Sequence, residues 1–364
     1  MRIIISGGGT GGHIYPAIAV ANELKTIAPA TELLFVGAEG KMEMEKVPRA
    51  GYPIVGLPVV GIKRELTLEN LAFPFKLGRS LLRARQIVRD FRPDAAVGFG
   101  GYASGPVLLA ASLKGIPTLI QEQNSYAGIT NKALARWASR ICVAYPGMDA
   151  FFPSDKIRLT GNPVRTDIRP APEKKAESRS FFGLQPDRNT LLVIGGSQGA
   201  RTLNESMEKD LHLLTGAGHQ VIWQTGPPFS ERAQKAVAQH GNGLAEAFDF
   251  IYEMNKAYAA ADVVVSRAGA LSVSELCLVE KPAILVPFPA AAEDHQTKNA
   301  MSLVERQAAL LVNDRDARTD LVPMALGLLQ DTNQQQILSQ HIREMGRPDA
   351  AREIAEEVLK LKNE

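Results

Sequence analysis

Cysteine is scarce in this chain of 364 residues, which contains only Cys142 and Cys277. Two distant thiols provide neither a metal-ligand cluster nor a disulfide framework, so we expect both to be buried and reduced. Long apolar runs are also missing, because no stretch approaches the ~20 residues of a membrane span. No signal peptide precedes the first apolar segment at Ile3–Ile5. These absences predict a soluble cytoplasmic chain, and they leave open that it rests on a membrane.

Aromatic residues are few (6%), and the formal net charge is only +2. With 45% hydrophobic and 22% charged residues, the composition excludes a disordered chain. The near-neutral charge conceals two opposed halves. Residues 1–163 carry 19 Lys and Arg against 12 Asp and Glu, whereas the remainder carries 22 against 27. The N-terminal half is therefore the better candidate for contact with an anionic partner.

Short apolar segments alternate with amphipathic helical stretches along both halves, which predicts an α/β fold with parallel sheets covered on both faces. The expected strands are Ile3–Ser6, Leu33–Val36, Ala95–Val97, Thr118–Ile120, Ile141–Val143, Thr190–Ile194, Gln220–Trp223, Asp262–Val265, Ala283–Val286 and Leu310–Val312.

The alternation pauses near Gly161–Arg165, and the Pro-, Lys- and Glu-rich stretch Arg169–Ser180 has no periodicity. We interpret that stretch as a linker or a surface excursion. The chain length suits two domains of ~100–200 residues each. We therefore predict two doubly wound, Rossmann-like domains, residues 1–163 and 164–348, facing each other across a cleft. A C-terminal helix at about 349–364 could pack back on the first domain.

Three glycine-rich loops each follow an expected strand and precede an expected helix: Gly7–Gly12, Gly100–Gly105 and Gly195–Gly199. At such a junction the backbone can approach a ligand closely, and the free N–H groups favour an anion. Any one loop could be a simple tight turn, but three in matching positions favour phosphate binding.

The first loop also fits the G-x-G-x-x-G dinucleotide fingerprint, with Glu39 as a possible ribose ligand. No hydride-transfer centre is evident downstream, so an oxidoreductase remains only a second possibility. No G-x-x-x-x-G-K-[ST] sequence occurs, and a P-loop kinase or ATPase is not supported.

In the second half, Ser266–Glu275 places small residues at a helix start and a carboxylate one turn inside. Ser272 and the backbone N–H groups can hold a diphosphate. Glu275 can accept hydrogen bonds from both ribose hydroxyls, since a carboxylate has two acceptor oxygens. Glu275 could instead be an ordinary helix-surface carboxylate.

Seven segments together resemble the MurG family of bacterial glycosyltransferases over nearly the whole chain. They are Gly8–His13, Gly100–Gly105, Glu122–Asn124, Gly161–Arg165, Gly195–Ala200, Gly269–Leu271 with Glu275, and His295–Gln296 with Asn299. The resemblance implies a GT-B fold and transfer of N-acetylglucosamine (GlcNAc) from UDP-GlcNAc to undecaprenyl-pyrophosphoryl-MurNAc-pentapeptide (lipid I). The transfer would invert the anomeric carbon and join GlcNAc to the C4 hydroxyl of MurNAc, giving the β-1,4-linked lipid II of peptidoglycan synthesis.

The resemblance also implies which residues contact each substrate. The donor set is Thr10, Gly11, Gly12, Asn124, Arg165, Ser197, Ile251 through its backbone, Ala270, Leu271, Ser272, Glu275 and Gln296. The acceptor and phosphate loop is Gly100, Gly101, Tyr102, Ser104 and Gly105. Some members carry a second Gln where this chain has His295, so a contact there is not carried over. The implied location is the cytoplasmic face of the plasma (inner) membrane, where cell-wall synthesis or division proteins are possible partners.

An inverting transfer needs a base for the acceptor hydroxyl and stabilisation of the leaving diphosphate. His13 directly follows the first loop and imidazole titrates near neutrality, which makes it the candidate base. His13 could instead orient a ligand or cap the helix. Glu122 is the alternative base or an acceptor contact. Loop N–H groups with Ser197, Ser272 and Arg165 can stabilise the diphosphate. We therefore expect neither a metal nor another cofactor to be required.

Residues 63–92 carry eight basic residues against three acidic ones, interleaved with Leu and Phe. Such a segment suits an anionic membrane surface. The expected membrane patch consists of Leu71, Phe73, Phe75, Lys76, Arg79, Leu82 and Arg83. The alternative is a core-facing helix with a solvated basic side. No nucleic-acid recognition motif is present, so nucleic acid is not an expected partner.

Three other functions remain open at this point. A UDP-sugar epimerase of the same architecture would bind the donor but need no membrane patch. Another glycolipid glycosyltransferase would keep the patch and change the acceptor. A sugar-nucleotide sensor would bind the donor without turnover.

Overall fold

The computed structural model describes residues 1–59, 73–165 and 167–363. Contacts divide the chain into two units. Residues 1–165 and those from 349 onward form the first, and residues 166–348 form the second. The division falls two residues beyond the boundary expected from sequence.

The first unit contains a seven-stranded parallel sheet of order β3-β2-β1-β4-β5-β6-β7. Its elements are β1 Arg2–Ser6, α1 Gly11–Ile27, β2 Glu32–Ala38, α2 Glu43–Arg49, β3 Ile54–Leu57, α3 Phe73–Phe91, β4 Ala95–Gly98, α4 Ser104–Ser112, β5 Thr118–Glu122, α5 Ile129–Leu134, β6 Arg140–Val143 and β7 Ile157–Leu159.

The second unit contains a six-stranded parallel sheet of order β10-β9-β8-β11-β12-β13. Its elements are α6 Lys175–Phe181, β8 Thr190–Ile194, α7 Arg201–Gly216, β9 Gln220–Gln224, α8 Ser230–His240, β10 Ala245–Phe248, α9 Met254–Ala260, β11 Val263–Ser266, α10 Ala270–Val279, β12 Ala283–Leu285, α11 His295–Val304, β13 Leu310–Leu311, α12 Ala317–Gln330 and α13 Thr332–Glu344.

Both sheets reverse their strand order at one point, between β1 and β4 in the first unit and between β8 and β11 in the second. Ligands of open parallel sheets bind beyond the carboxyl ends of the strands at such a point. The predicted fold class, two doubly wound α/β domains, is confirmed. The three glycine loops follow β1, β4 and β8, which places them at these two points.

The C-terminal helix α14, Ala350–Lys360, packs against α1 of the first unit. Ile354 and Val358 are fully buried in the same core cluster as Ile3 and Ile5 of β1. An amphipathic helix buries its apolar stripe wherever a matching surface is available, and here the surface is the α1 side of the first sheet.

The linker expected at Arg169–Ser180 is wrong over its second half, because α6 begins at Lys175. Arg179 anchors this helix: its buried guanidinium donates to Asp262 Oδ2 (2.5 Å) and to the Ala260 carbonyl (3.1 Å). A buried Arg–carboxylate pair with satisfied donors can fix a helix that shows no apolar periodicity.

The other differences concern short elements and strand ends. All ten expected strands are present, with ends shifted by one or two residues. Three further strands, β3, β7 and β10, lie at sheet edges. β7 is mostly exposed and Ala245 is the one buried residue of β10, so neither strand has the continuous apolar run of a central strand. Cys142 and Cys277 are free and buried as predicted, and burial raises the pKa of both thiols to about 12.

Candidate active site

The first two glycine loops touch each other through their backbones. Gly101 has a φ of +81°, and a Cβ added there would lie 2.4 Å from the Gly8 carbonyl oxygen. Ser104 is buried and its hydroxyl lies within hydrogen-bond distance of two carbonyl oxygens, Ser6 (2.9 Å) and Gly100 (2.7 Å). Ser104 therefore fastens the second loop to the end of β1. Tyr102, by contrast, is exposed.

Helix α1 begins inside the first loop. Thr10 precedes its first residue in an extended conformation, and the Thr10 carbonyl accepts from the amides of His13 (3.1 Å) and Ile14 (3.3 Å). Gly11 and Gly12 form the first turn, where the N–H groups have no acceptor within the helix. This geometry suits an anion or a polar ligand group at Thr10–Gly12.

His13 is half-buried, and its Nδ1 lies 2.9 Å from the Gly8 carbonyl oxygen. A carbonyl can only accept, so Nδ1 carries the proton of the neutral ring and Nε2 is the proton-accepting atom. Nε2 lies beside the second loop, since a Cβ added to Gly100 would be 3.0 Å away. The tautomer required of a general base at Nε2 is thus set by the loop backbone.

Glu43, at the start of α2, is a site residue that the sequence analysis missed. It is completely buried, with Oε2 accepting from the Gly9 amide (3.0 Å) and Oε1 from the Ala38 amide (2.9 Å). The N–H of Gly9 therefore already has its hydrogen-bond acceptor within the protein. Glu43 and Val47 are the buried face of this short helix, an i, i+4 pair that could have marked the position.

Glu122 lies at the end of β5 and is also buried. Oε1 accepts from the amide (3.1 Å) and side chain (3.3 Å) of Asn124, and Oε2 accepts from the Gly128 amide (3.0 Å) and Asn131 Nδ2 (2.8 Å). Four donors from the protein thus engage the lone pairs of this carboxylate. These contacts hold Asn124 beside Glu122, and the role of Glu122 as the alternative base stays a prediction.

The third loop also contains a glycine whose backbone packs closely against the backbone of another segment. A Cβ on Gly199 would lie 1.9 Å from the Thr225 carbonyl oxygen, and Gly199 has a φ of +75°. The Gln224 side chain donates to the Gly196 carbonyl (3.0 Å). Ser197 is exposed at the tip of this loop, just before α7. Because β8 and β11 are neighbours, this tip and the start of α10 follow adjacent strands.

Helix α10 starts at Ala270, preceded by Gly269 in an extended conformation. Ala270, Leu271 and Ser272 form its partly buried first turn, where free N–H groups suit a phosphate. Glu275 is half-buried one turn further, and its Oε2 accepts from the Tyr258 hydroxyl (2.9 Å). Tyr258, a fully buried residue of α9, is the second residue that the sequence analysis missed.

The remaining donor candidates are Gln296, Ile251 and Arg165. Gln296, in the first turn of α11, accepts from the Phe288 amide (2.9 Å). Just before it, Glu293 and Asp294 have φ values of +52° and +55°. Such left-handed residues cluster at functional sites. Ile251 is buried between two exposed neighbours, Phe250 and Tyr252. Arg165 is exposed.

The metal-free expectation assumed that the chain contains no D-x-D metal motif, which is wrong, because Asp314-Arg315-Asp316 has this spacing. Asp314 pairs with Arg267 (2.6 Å) and accepts from Thr202 (3.1 Å), while Asp316 precedes α12 and pairs with Arg315 (3.3 Å). Among the residues that the structure describes, no group of three His, Cys, Asp or Glu side chains could hold a metal ion.

Helix α3 carries most of the expected membrane patch. Phe75 (80% exposed), Leu82 (65%), Arg79 and Arg83 lie on its surface, and Lys76 is half-buried. Leu71 and the side chain of Phe73 lie outside the described part of the chain. Ala84, Ile87 and Val88 face the core, so the helix combines a buried side with an exposed apolar and basic side. None of the described helices is long and apolar enough to span a membrane.

Comparison with known proteins is consistent with this geometry. Residues 3–143 match the glycosyltransferase family 28 N-terminal domain, and residues 190–355 match its C-terminal domain. A UDP-N-acetylglucosamine--N-acetylmuramyl-(pentapeptide) pyrophosphoryl-undecaprenol N-acetylglucosamine transferase of Parabacteroides distasonis is 54% identical over 99% of this chain and 98% of its own. The enzyme of the same name from Cytophaga hutchinsonii is 55% identical over 100% and 97%.

Among solved structures, MurG of Acinetobacter baumannii superimposes with a TM-score of 0.82 at 30% identity, covering 99% of both chains. A UDP-GlcNAc 2-epimerase from Neisseria meningitidis bound to UDP-GlcNAc reaches 0.67 at 14% identity, with 99% of this chain and 100% of the epimerase covered, which shows a shared fold only. The fold is thus of the GT-B class, and the chain belongs to glycosyltransferase family 28 and, within it, to the MurG family.

Proposed function

We propose that this chain transfers GlcNAc from UDP-GlcNAc to the C4 hydroxyl of MurNAc in lipid I, with inversion, and so produces lipid II. The observation that carries the proposal is the near-full-length identity of 54–55% to transferases named for this reaction. The matching site residues add chemical support, because each unit presents backbone N–H groups beside a polar side chain suited to one of the substrates.

In the proposed reaction the acceptor hydroxyl oxygen bonds to the anomeric carbon as the bond from that carbon to the UDP oxygen breaks. The hydroxyl proton passes to His13 Nε2, whose neutral form accepts it because Nδ1–H is held by the Gly8 carbonyl. The N–H groups at Ala270–Ser272 and the loop bearing Ser197 stabilise the leaving diphosphate. Glu275 binds the ribose hydroxyls. No step in this scheme uses a metal ion.

A transfer assay tests the function. Labelled UDP-GlcNAc is incubated with a short-chain lipid I analogue, with and without EDTA, and the label is followed. We expect label on the lipid in both arms, because N–H groups and not a metal stabilise the leaving group. Isomerised nucleotide sugar would indicate an epimerase, and unchanged donor would indicate a sensor. Activity that EDTA abolishes and one divalent ion restores would contradict the metal-free scheme.

Donor binding is expected to depend on Tyr258, because its hydroxyl orients the Glu275 carboxylate. Tyr258→Phe removes a hydrogen bond to a charged group, of a kind that contributes about 1.5–3 kcal/mol. We expect the KM for UDP-GlcNAc to rise about tenfold with little change in kcat.

The matched control for this substitution is Tyr252→Phe, which makes the same change at a residue that is 76% exposed. The discrimination between UDP and 2′-deoxy-UDP, measured by calorimetry, should fall in Tyr258→Phe and persist in the control. Unchanged discrimination in Tyr258→Phe would refute the orienting role.

We further propose that α3 holds the protein on the cytoplasmic face of the plasma membrane, through anionic lipid. Sedimentation with vesicles is expected to require anionic lipid and to weaken in high salt, since surface charges are screened. Arg79→Glu/Arg83→Glu should lose binding. The control Arg232→Glu/Lys235→Glu makes the same charge change on the exposed face of α8. Equal binding to neutral vesicles would contradict the electrostatic part of this proposal.

A further inference from the structure

One peptide group, between Gly8 and Gly9, connects two ionisable side chains. Its carbonyl oxygen lies 2.9 Å from His13 Nδ1, and its N–H donates to Glu43 Oε2 over 3.0 Å. The carbonyl and the N–H of a trans peptide point in opposite directions. Glu43 and His13 therefore act on the two ends of the same polar group.

Two glycines, Gly8 and Gly37, leave the space that the Glu43 side chain fills. A Cβ added to Gly8 would lie 2.0 Å from Glu43 Oε1, and one added to Gly37 would lie 2.5 Å from Glu43 Cγ. The side chain is completely buried, and its second oxygen accepts from the Ala38 amide. Burying an ionisable group is costly unless it is hydrogen-bonded, so a carboxylate enclosed here with both oxygens engaged points to a specific role.

A carboxylate that accepts from a peptide N–H polarises the peptide and strengthens the bond at its carbonyl end, because hydrogen bonds in a chain reinforce one another. Groups hydrogen-bonded to the far nitrogen of an imidazole fix its tautomer and raise its basicity. Here the Gly8–Gly9 peptide group links the Glu43 carboxylate to the His13 imidazole.

We propose that Glu43 is a positioning residue that acts through the Gly8–Gly9 peptide to hold His13 with Nε2 as the proton acceptor. This inference rests on the proposed function, in which His13 is the base. Glu43 is completely buried, so it acts on the reaction through the loop backbone and through the imidazole that this backbone holds.

Other ionisable groups on the surrounding elements have different contacts among the described residues. Tyr15 of α1 lies over Gly11, and Glu39 after β2 packs on Gly56. Glu122 after β5 is engaged by Asn124, Gly128 and Asn131. Gln123, directly after β5, is neutral, and its amide oxygen would lie 3.8 Å from a Cβ added to Gly100 of the second loop. Glu43 is thus the carboxylate linked to His13 through a shared peptide group.

The kinetic test compares Glu43→Gln with the control Glu45→Gln, the same change at an exposed residue of the same helix. Loss of the negative charge makes the imidazolium less favourable and lowers the pKa of the base. The acidic limb of the kcat–pH profile should then move to lower pH by about one unit, and kcat should fall about tenfold or more, while the KM for UDP-GlcNAc changes less than threefold. Glu43→Asp keeps the charge and should retain the position of the limb.

A merely structural role for Glu43 would lower kcat and raise KM without moving the limb, and that result would overturn the proposal. A Glu43→Gln enzyme whose kcat, KM and kcat–pH profile match those of the control would also overturn the proposal.

A second measurement does not depend on activity. In ¹⁵N-histidine-labelled protein, the His13 signals are identified by their loss in His13→Gln and titrated in the wild type and in Glu43→Gln. We expect the Nδ1–H tautomer in the wild type and a titration midpoint at lower pH in the variant. The Nε2–H tautomer in the wild type, or equal midpoints, would refute the link. A wild-type enzyme that shows this link but transfers no GlcNAc would refute the proposed function alone.

Discussion

Close contact between backbone segments at the carboxyl ends of parallel strands is the constraint on which the rest of this structure depends. The carbonyl of Gly8 lies where a side chain on Gly101 would have to be, and the carbonyl of Thr225 excludes a side chain on Gly199. Only glycine permits these approaches, and both residues have the positive φ that glycine tolerates. The loops fold over the sheet ends in this way, and the helices that follow start with their N–H groups beside them.

Buried polar side chains hold these loops in place. Glu43 and Ser104 fasten the two loops of the first unit, and Glu122 fastens the segment that carries Asn124. Tyr258 does the same for Glu275 in the second unit. Each of these groups is satisfied by hydrogen bonds, which avoids the cost of an unpaired buried polar atom. A reacting group is thereby held by its surroundings before the substrates arrive.

The sequence predicted the strands, the glycine loops and the family, because those features are local or depend on motif spacing. Glu43 and Tyr258 escaped prediction because their partners, Gly9 and Glu275, lie 34 and 17 residues away in sequence. Helix α6 was missed because the buried pair of Arg179 with Asp262, rather than an apolar stripe, anchors it. Glu122 was selected from its motif, but its four donors, on residues two to nine positions away in sequence, are visible only in the structure.

Proton transfer and donor binding are assigned to different side chains, and paired steady-state kinetics of His13→Ala and Glu275→Ala test this assignment most directly. His13→Ala should lower kcat by about 10²–10⁴-fold, the usual contribution of a general base, with a smaller effect on the KM for UDP-GlcNAc. Glu275→Ala should mainly raise that KM, because ribose contacts are lost. The reverse pattern, with His13→Ala weakening donor binding and Glu275→Ala abolishing turnover, would contradict both assignments.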